Sequence, residues 1–235
     1  MQFLYHQHAG DRLLYIEKED FTYICKARRL KEGDRLALRN LNDMYLYSYE
    51  ITQMQKKGAA LTLLHKVQTP CQVYNNLHLL WAVVEPKVVE KALPMLNELG
   101  IAAISFFYAQ FSQGHFKLSL ERMYKILIQS CQQCGRSSLM RLEVYKDFDA
   151  ICSQYMPFYA FDFGGEDIRE ILSPVCVQTD VRIMVGPEGG FSASERAKFK
   201  QSISLGDDLI LRSESACVLL ASIFRVWHGS QKGLV

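Results

Sequence analysis

The chain has 235 residues, 49% hydrophobic and 22% charged, with a formal net charge of +2. That composition excludes a disordered chain and a small stapled scaffold, and the length suffices for one large or two smaller cores. Seven cysteines, an odd number without an export signal, read as reduced thiols, and no apolar run approaches the roughly 20 residues of a membrane helix, so a cytoplasmic protein is expected. The charge is uneven: residues 1–70 hold 11 Lys and Arg against 8 Asp and Glu, the remainder 16 against 17.

From residue 11 to about 66, short apolar stretches at 13–16, 35–38, 44–49 and 60–64 alternate with turn signals such as EGD at 32–34 and NLND at 40–43. Several short strands in so few residues predict a small β-barrel, with helix limited to 18–30. The basic run KARRLK at 26–31, followed by Arg35 and Arg39, is either a phosphate-binding patch or a solvated face. His6 and His8 are expected at the surface near the barrel.

After Pro70 the rhythm changes. Strands are predicted at 77–84, 101–107, near 142, at 181–185 and at 209–211, with an extended stretch at 158–162; helices are predicted at 88–99, 120–133, from about 193, and at 214–228. Gly100 and Gly135 stop the first two helices, and Trp81 is assigned to the core. This alternation makes an α/β domain with a mainly parallel sheet, whose ligand sits beyond the carboxyl ends of the strands. The division is therefore 1–70 and 71–235. The last helix is apolar nearly all round, which requires burial on more than one side; a subunit interface is favoured over the domain interior. The CQQC at 131–134 reads as two thiols on a helix end and not a metal site: zinc wants four ligands, and neither Cys152 nor Cys176 has a partner at ligand spacing.

The stretch MVGPEGGFSASE at 184–195 is the strongest local signal. Its glycines give up side-chain packing for positive φ and close approach of another group. Ser192 and Glu195 form a capping-box pattern, which makes Glu195 a helix cap. Glu188 lies inside the turn, where no helix requires a carboxylate, although it could simply face solvent. No lysine follows as in a P-loop, and the GxGxxG spacing is absent, so a ligand read by backbone groups, such as an adenine ring, suits the turn better than a phosphate.

GPEGG at 186–190, followed by SLG at 204–206 and LILRSESA at 209–216, resembles the paired signature GPEGG, LG and ILRxETA of the RsmE-type small-subunit ribosomal RNA uridine-N3 methyltransferases, members of the SPOUT class. KALPMLNELG at 91–100, QCGR at 133–136 and KARRLKEGD at 26–34 are similar to further family segments, in the same order. The chain departs from the pattern with Gln2 in place of an arginine, Ser215 for a threonine, AQFSQG at 109–114 for an arginine-serine pair, and Arg28 at an aliphatic position.

The resemblance implies a PUA-like β-barrel on a SPOUT domain whose C-terminal chain passes through a trefoil knot, a feature that pattern reasoning cannot produce. It implies a homodimer, S-adenosylmethionine as cofactor, and small-subunit (16S) rRNA as substrate. Gly186, Pro187, Glu188, Gly189, Gly190, Leu205, Gly206, Ile210, Leu211 and Ser215 would hold the cofactor, and Lys26, Arg28, Arg29, Lys31 and Arg136 the RNA. N3 of uridine must lose its proton as the methyl arrives. Arg212, at the end of a strand, would stabilise the uracil anion or orient phosphate, or else pair with Glu214 or Glu188; Glu214 is the candidate proton acceptor. The alternatives are a related enzyme methylating tRNA ribose at the 2′-oxygen and a catalytically silent RNA-binding assembly protein.

Overall fold

The computed structural model describes residues 3–24, 28–70, 75–171, 180–206 and 209–230. The chain forms two compact units, one of residues 1–72 with 128–139 and one of 73–127 with 140–235. No helix among the described residues is long and apolar enough to cross a membrane.

The first unit is a five-stranded sheet of β1 (Leu4–Tyr5), β2 (Leu13–Glu17), β3 (Arg35–Arg39), β4 (Tyr45–Met54) and β5 (Gly58–Gln68), in the order β1-β3-β4-β5-β2. β1 lies parallel to β3 and the other neighbours are antiparallel. Alternation sets which side faces inward: in β2, Leu14 and Ile16 are buried and Leu13 and Tyr15 are exposed. All five strands contribute to one hydrophobic core, as the small β-domain requires. β1 was not foreseen, because a two-residue strand has no periodicity to read.

Helix α1 covers only Lys18–Thr22, not the expected 18–30. Residues 25–27 lie outside the described residues, and beyond them Arg29 has φ +55°, a left-handed conformation that cannot continue a right-handed helix. The expectation for Arg39 is also corrected. It is 5% exposed, and its guanidinium donates to the Thr69 carbonyl at 2.9 Å and the Thr69 hydroxyl at 2.8 Å while lying over the Phe3 ring. It is a buried structural cation.

Helix α3 (Leu120–Cys134) gives its second half to this first unit, where Ile128, Cys131 and Leu139 pack with Phe3 and Leu41. The unit is thus discontinuous in sequence. The two thiols of CQQC lie in the last turn of α3, Cys131 buried and Cys134 partly so.

In the second unit, β6 (Asn75–Ala82), β7 (Ile101–Phe107), β8 (Arg141–Tyr145), β9 (Tyr159–Asp167), β10 (Val181–Val185) and β11 (Ser202–Ser204) form a sheet in the order β11-β9-β10-β6-β7-β8. Every pairing is parallel. β6 is buried on both faces, which explains its nearly unbroken apolar run. Leu80 and Ala82 pack with α4 (Phe148–Tyr155), while α7 (Ser213–Ser230) lies against β6 and α2 (Pro86–Glu98). α4 and α5 (Ile168–Ile171) are short and were not foreseen. From β6 the chain winds through β7 and β8 to one edge, then returns to build β9, β10 and β11 on the other side. The direction reverses between β10 and β6, and the carboxyl ends of the strands at such a switch form a crevice.

Two element assignments change. Residues 209–211 are not a strand: Leu209 and Ile210 are 76% and 79% exposed, and the edge position that a strand there would take belongs to β11. α7 buries a single stripe (Ala216, Cys217, Leu220, Ala221 and Phe224), while Val218, Leu219 and Ile223 are partly buried and Val226 is 64% exposed. Burial on more than one side is not met within one chain.

A buried polar ladder crosses the sheet. His78 Nε2 lies 2.9 Å from Ser105 Oγ, the Ser105 hydroxyl donates to Glu143 Oε2 at 2.9 Å, and the Tyr155 hydroxyl donates to the same carboxylate oxygen. With the serine proton directed at Glu143, His78 donates from Nε2. Burial, aided by the charge of Arg141, pushes the His78 pKa down to about 4, so the ring is neutral at neutral pH.

Candidate functional site

β10 is buried except at Arg182 and ends at Val185, so GPEGG begins where the sheet stops. The Gly190 amide donates to the Pro187 carbonyl at 2.9 Å, closing the turn, and Gly190 has φ +69°, which favours glycine over any side chain. Gly186 and Gly189 are glycines for a different reason. A Cβ on Gly186 would meet the Phe191 ring at 3.1 Å, and one on Gly189 would meet Phe111 Cβ at 3.1 Å. The close approach expected at this turn is therefore made partly by the chain's own aromatic residues. Phe191 is buried edge-on against Phe199, with ring centroids 4.9 Å apart, and backs the turn with a rigid floor.

The turn runs into α6 (Ala193–Arg196) through a complete capping box. Ser192 Oγ accepts from the Glu195 amide at 3.3 Å, and Glu195 Oε2 accepts from the Ser192 amide at 2.8 Å. The other carboxylate oxygen accepts from the Gln110 amide at 2.8 Å. Glu195 is thus the predicted cap and also the anchor of the loop after β7, the AQFSQG stretch, which carries Phe111 onto Gly189.

Opposite the turn lie residues 204–205 and 209–213, and between them and the turn is a cleft partly open to solvent. Of the residues assigned to the cofactor, Gly186, Pro187, Glu188, Gly190, Leu205, Ile210 and Leu211 line it. Gly189 faces Phe111 instead. Gly206, with φ +72°, turns the chain beside Asp167, and Ser215 is exposed on α7. Among the described residues the lining includes Asp162 and Glu188 and no lysine or arginine. Asp162 has a side chain only 7% exposed and receives Arg196 through Nε at 2.6 Å and Nη2 at 3.2 Å.

Arg212 is exposed and stands one residue before α7, its carbonyl accepting from the Ala216 amide at 2.9 Å. It is therefore the N-cap residue of a helix and not the end of a strand. Among the described residues of this unit, the arginine ion pairs belong to Arg122, Arg141, Arg169 and Arg196, so Arg212 pairs with neither Glu188 nor Glu214. Glu214 is half-buried in the first turn of α7. Neither Arg212 nor Glu214 lines the cleft.

Residues 71–225 match the family model of the RNA methyltransferase domain, and residues 16–64 match that of the RNA methyltransferase PUA domain. Over 96% of its length the chain is 42% identical to the ribosomal RNA small subunit methyltransferase E of Helicobacter pylori, all of which it covers. The chain belongs to the RsmE-type RNA methyltransferases. Its fold is shared with the Neisseria gonorrhoeae ribosomal RNA small subunit methyltransferase E bound to S-adenosylmethionine, at 18% identity and a TM-score of 0.77, covering 96% of this chain and 97% of that one. A Legionella pneumophila protein solved with the cofactor SAM also has this fold, at 22% identity and a TM-score of 0.77, covering 96% and 97%.

Within this RsmE-type chain, the basic residues expected to meet RNA separate into three groups. Arg28, Arg29 and Lys31 are exposed on the first unit, and among the described residues none forms a salt bridge. Lys26 lies outside the described residues. Arg136 is corrected: it is 4% exposed and donates through Nε to the Ser138 carbonyl at 2.9 Å, a structural role that leaves it off the surface.

Sequence reasoning missed Phe161, Asp162 and Phe163 of β9, and Ser204 and Ala216 at the two ends of the second motif region, and gave no individual role to Leu209 or Ser213 within it; all of these line the cleft. The β9 residues could not have been found by motif, because they reach the cleft only through the pairing of β9 with β10. Ser213 stood inside the matched segment, between two residues assigned to catalysis.

Proposed function

We propose that this chain transfers the methyl group of S-adenosylmethionine to N3 of a uridine in small-subunit ribosomal RNA. The observation that carries the reading is the cleft between GPEGG and residues 204–205 and 209–213, at the carboxyl edge of the parallel sheet. Its chemistry suits that donor. Apolar residues Phe163, Leu209, Ile210 and Leu211 flank it, backbone is close at the turn, and of its two acidic residues Asp162 is already paired with Arg196 while Glu188 is left to face a sulfonium; among the described lining residues a phosphate meets no lysine. When bound, the donor supplies an activated methyl on positive sulfur.

The remaining steps fall to the chain and the RNA. N3 attacks the methyl carbon, the carbon–sulfur bond breaks with its electrons passing to sulfur, and the N3 proton leaves to an acceptor. Glu214 is assigned that proton, and Arg212 the charge on the uracil O2 and O4 atoms. Because N3 lies on the pairing edge, the base must be presented unpaired. Arg28, Arg29 and Lys31 hold RNA phosphates, and Lys26 of the same run is assigned with them. The C-terminal segment is assigned to the trefoil knot of the SPOUT class. The uncovered apolar side of α7, with Leu219, Ile223 and Val226, supports a homodimer in solution, which sedimentation analysis reads directly; a concentration-independent monomer would contradict it.

The deciding experiment is methyl transfer from labelled donor to small ribosomal subunits lacking the modification, followed by mass spectrometry of the nucleosides. 3-Methyluridine is expected. A 2′-O-methylated nucleoside, or no incorporation with subunits or free rRNA, would reject the assignment.

A further inference from the structure

Ser213 ties the two walls of the cleft together, and Trp81 donates to its oxygen from the sheet. The Trp81 indole Nε1–H donates to Ser213 Oγ at 2.8 Å, and the Ser213 hydroxyl donates to the Gly186 carbonyl at 2.6 Å. The direction of this relay is fixed by chemistry. An indole N–H can only donate, so the serine oxygen must accept there, and its single proton is committed to Gly186. Trp81 is fully buried and Ser213 is 5% exposed, so water does not compete for either bond. The relay joins three pieces of chain that are distant in sequence: the middle sheet strand β6, the first residue of GPEGG, and the first residue of α7.

Those bonds have a consequence for the cleft. Its second wall, residues 209–213, is not a strand, and Leu209 and Ile210 stand out into solvent. Among the described residues no sheet ladder holds that wall at a set distance from the turn; the Ser213 hydroxyl ties its base to Gly186, the residue that follows the end of β10. We infer that Ser213, oriented by the Trp81 indole, is a positioning residue that sets the spacing of the two cofactor walls and thereby the affinity for the methyl donor. This rests on the cleft being the S-adenosylmethionine site. Ser213 acts through Gly186, since its proton is already engaged and is not offered to the ligand.

The test is titration calorimetry with S-adenosylmethionine, alongside thermal unfolding, on the full chain and three variants. Ser213→Ala removes the tie and strands the Trp81 donor. It is expected to bind the donor about tenfold more weakly, the upper end of what one net hydrogen bond supplies, and to unfold at a lower temperature. Trp81→Phe keeps the serine bond to Gly186, so donor affinity is expected within about threefold of the unmodified chain. The double variant is decisive, because it removes the stranded donor as well as the tie. Its unfolding temperature is expected to recover part of the Ser213→Ala loss while its affinity stays about tenfold weak. If affinity recovers together with stability, or if Ser213→Ala binds as the unmodified chain does, Ser213 is structural only and the inference is overturned. Should Ser213→Ala not fold, the affinity of the double variant decides between the same two outcomes. An unmodified chain that binds no donor sinks the cofactor assignment and this inference together; normal binding that Ser213→Ala leaves unchanged sinks only the inference.

Discussion

Arg212 stands exposed beside the cleft, with no carboxylate partner among the described residues of its unit and its backbone engaged in starting α7. A cation placed this way has charge to offer a substrate and little part in packing. Arg212→Ala is therefore expected to lower turnover about 100-fold, the scale of one lost donor to a developing anion, with donor affinity within about twofold. Single-turnover methylation with saturating RNA checks it, and an unchanged rate would remove Arg212 from the chemistry. Arg39 and Arg136 show how far residue type alone can be trusted. All three look alike as basic residues in suggestive motifs, but Arg39 satisfies Thr69 and Arg136 satisfies a carbonyl two residues on. A guanidinium has five donors, and whether the fold or a ligand takes them depends on neighbours that sequence does not reveal.

Among the elements, α6 is only four residues long, and its cap does more than start a helix. Ser192→Ala removes a cap acceptor and is expected to cost about 1 kcal/mol. Glu195→Ala leaves the Ser192 amide and the Gln110 amide without their acceptor, so about 2–3 kcal/mol is expected, read as a lower urea midpoint with an unchanged slope. Equal costs would show that the link to the loop after β7 contributes nothing. The capping box was legible in four consecutive residues; the second bond, to Gln110 across 85 positions, was not. The polar ladder over β6, β7 and β8 gives a pH prediction. His78 has a folded pKa of about 4 against 6.5 when unfolded, so in that window the unfolded chain holds more protons and stability falls as pH is lowered. The loss is at most about 3 kcal/mol by pH 4. Glu143, whose pKa is lowered, adds its own loss only below the usual carboxylate range. Between about pH 5 and 6.5 His6, also shifted down by burial, adds to the slope of urea stability, and His78→Gln is expected to remove the share due to His78. An equal slope in the variant would assign the dependence elsewhere.

For the whole molecule, the basic excess of residues 1–70 gathers at Arg28, Arg29 and Lys31 on the exposed surface of the first unit. If these cations meet phosphates, affinity for rRNA fragments falls as salt rises, and replacing all three with alanine is expected to reduce the slope of log K against log salt by about 2. An undiminished slope would place the RNA elsewhere. The sequence by itself determined the two-part α/β organisation, the GPEGG turn with its cap, and part of the lining of the cleft beside it. Those features are local, written in periodicity, in glycines demanded by backbone geometry, and in motif spacing. Only the tertiary structure decided that β9 brings Asp162 beside the turn, that residues 209–211 stay out of the sheet, and that Trp81 reaches Ser213 and through it Gly186. A strand exists only by pairing and a hydrogen bond only by proximity, and both depend on strand order, which no single stretch of chain encodes.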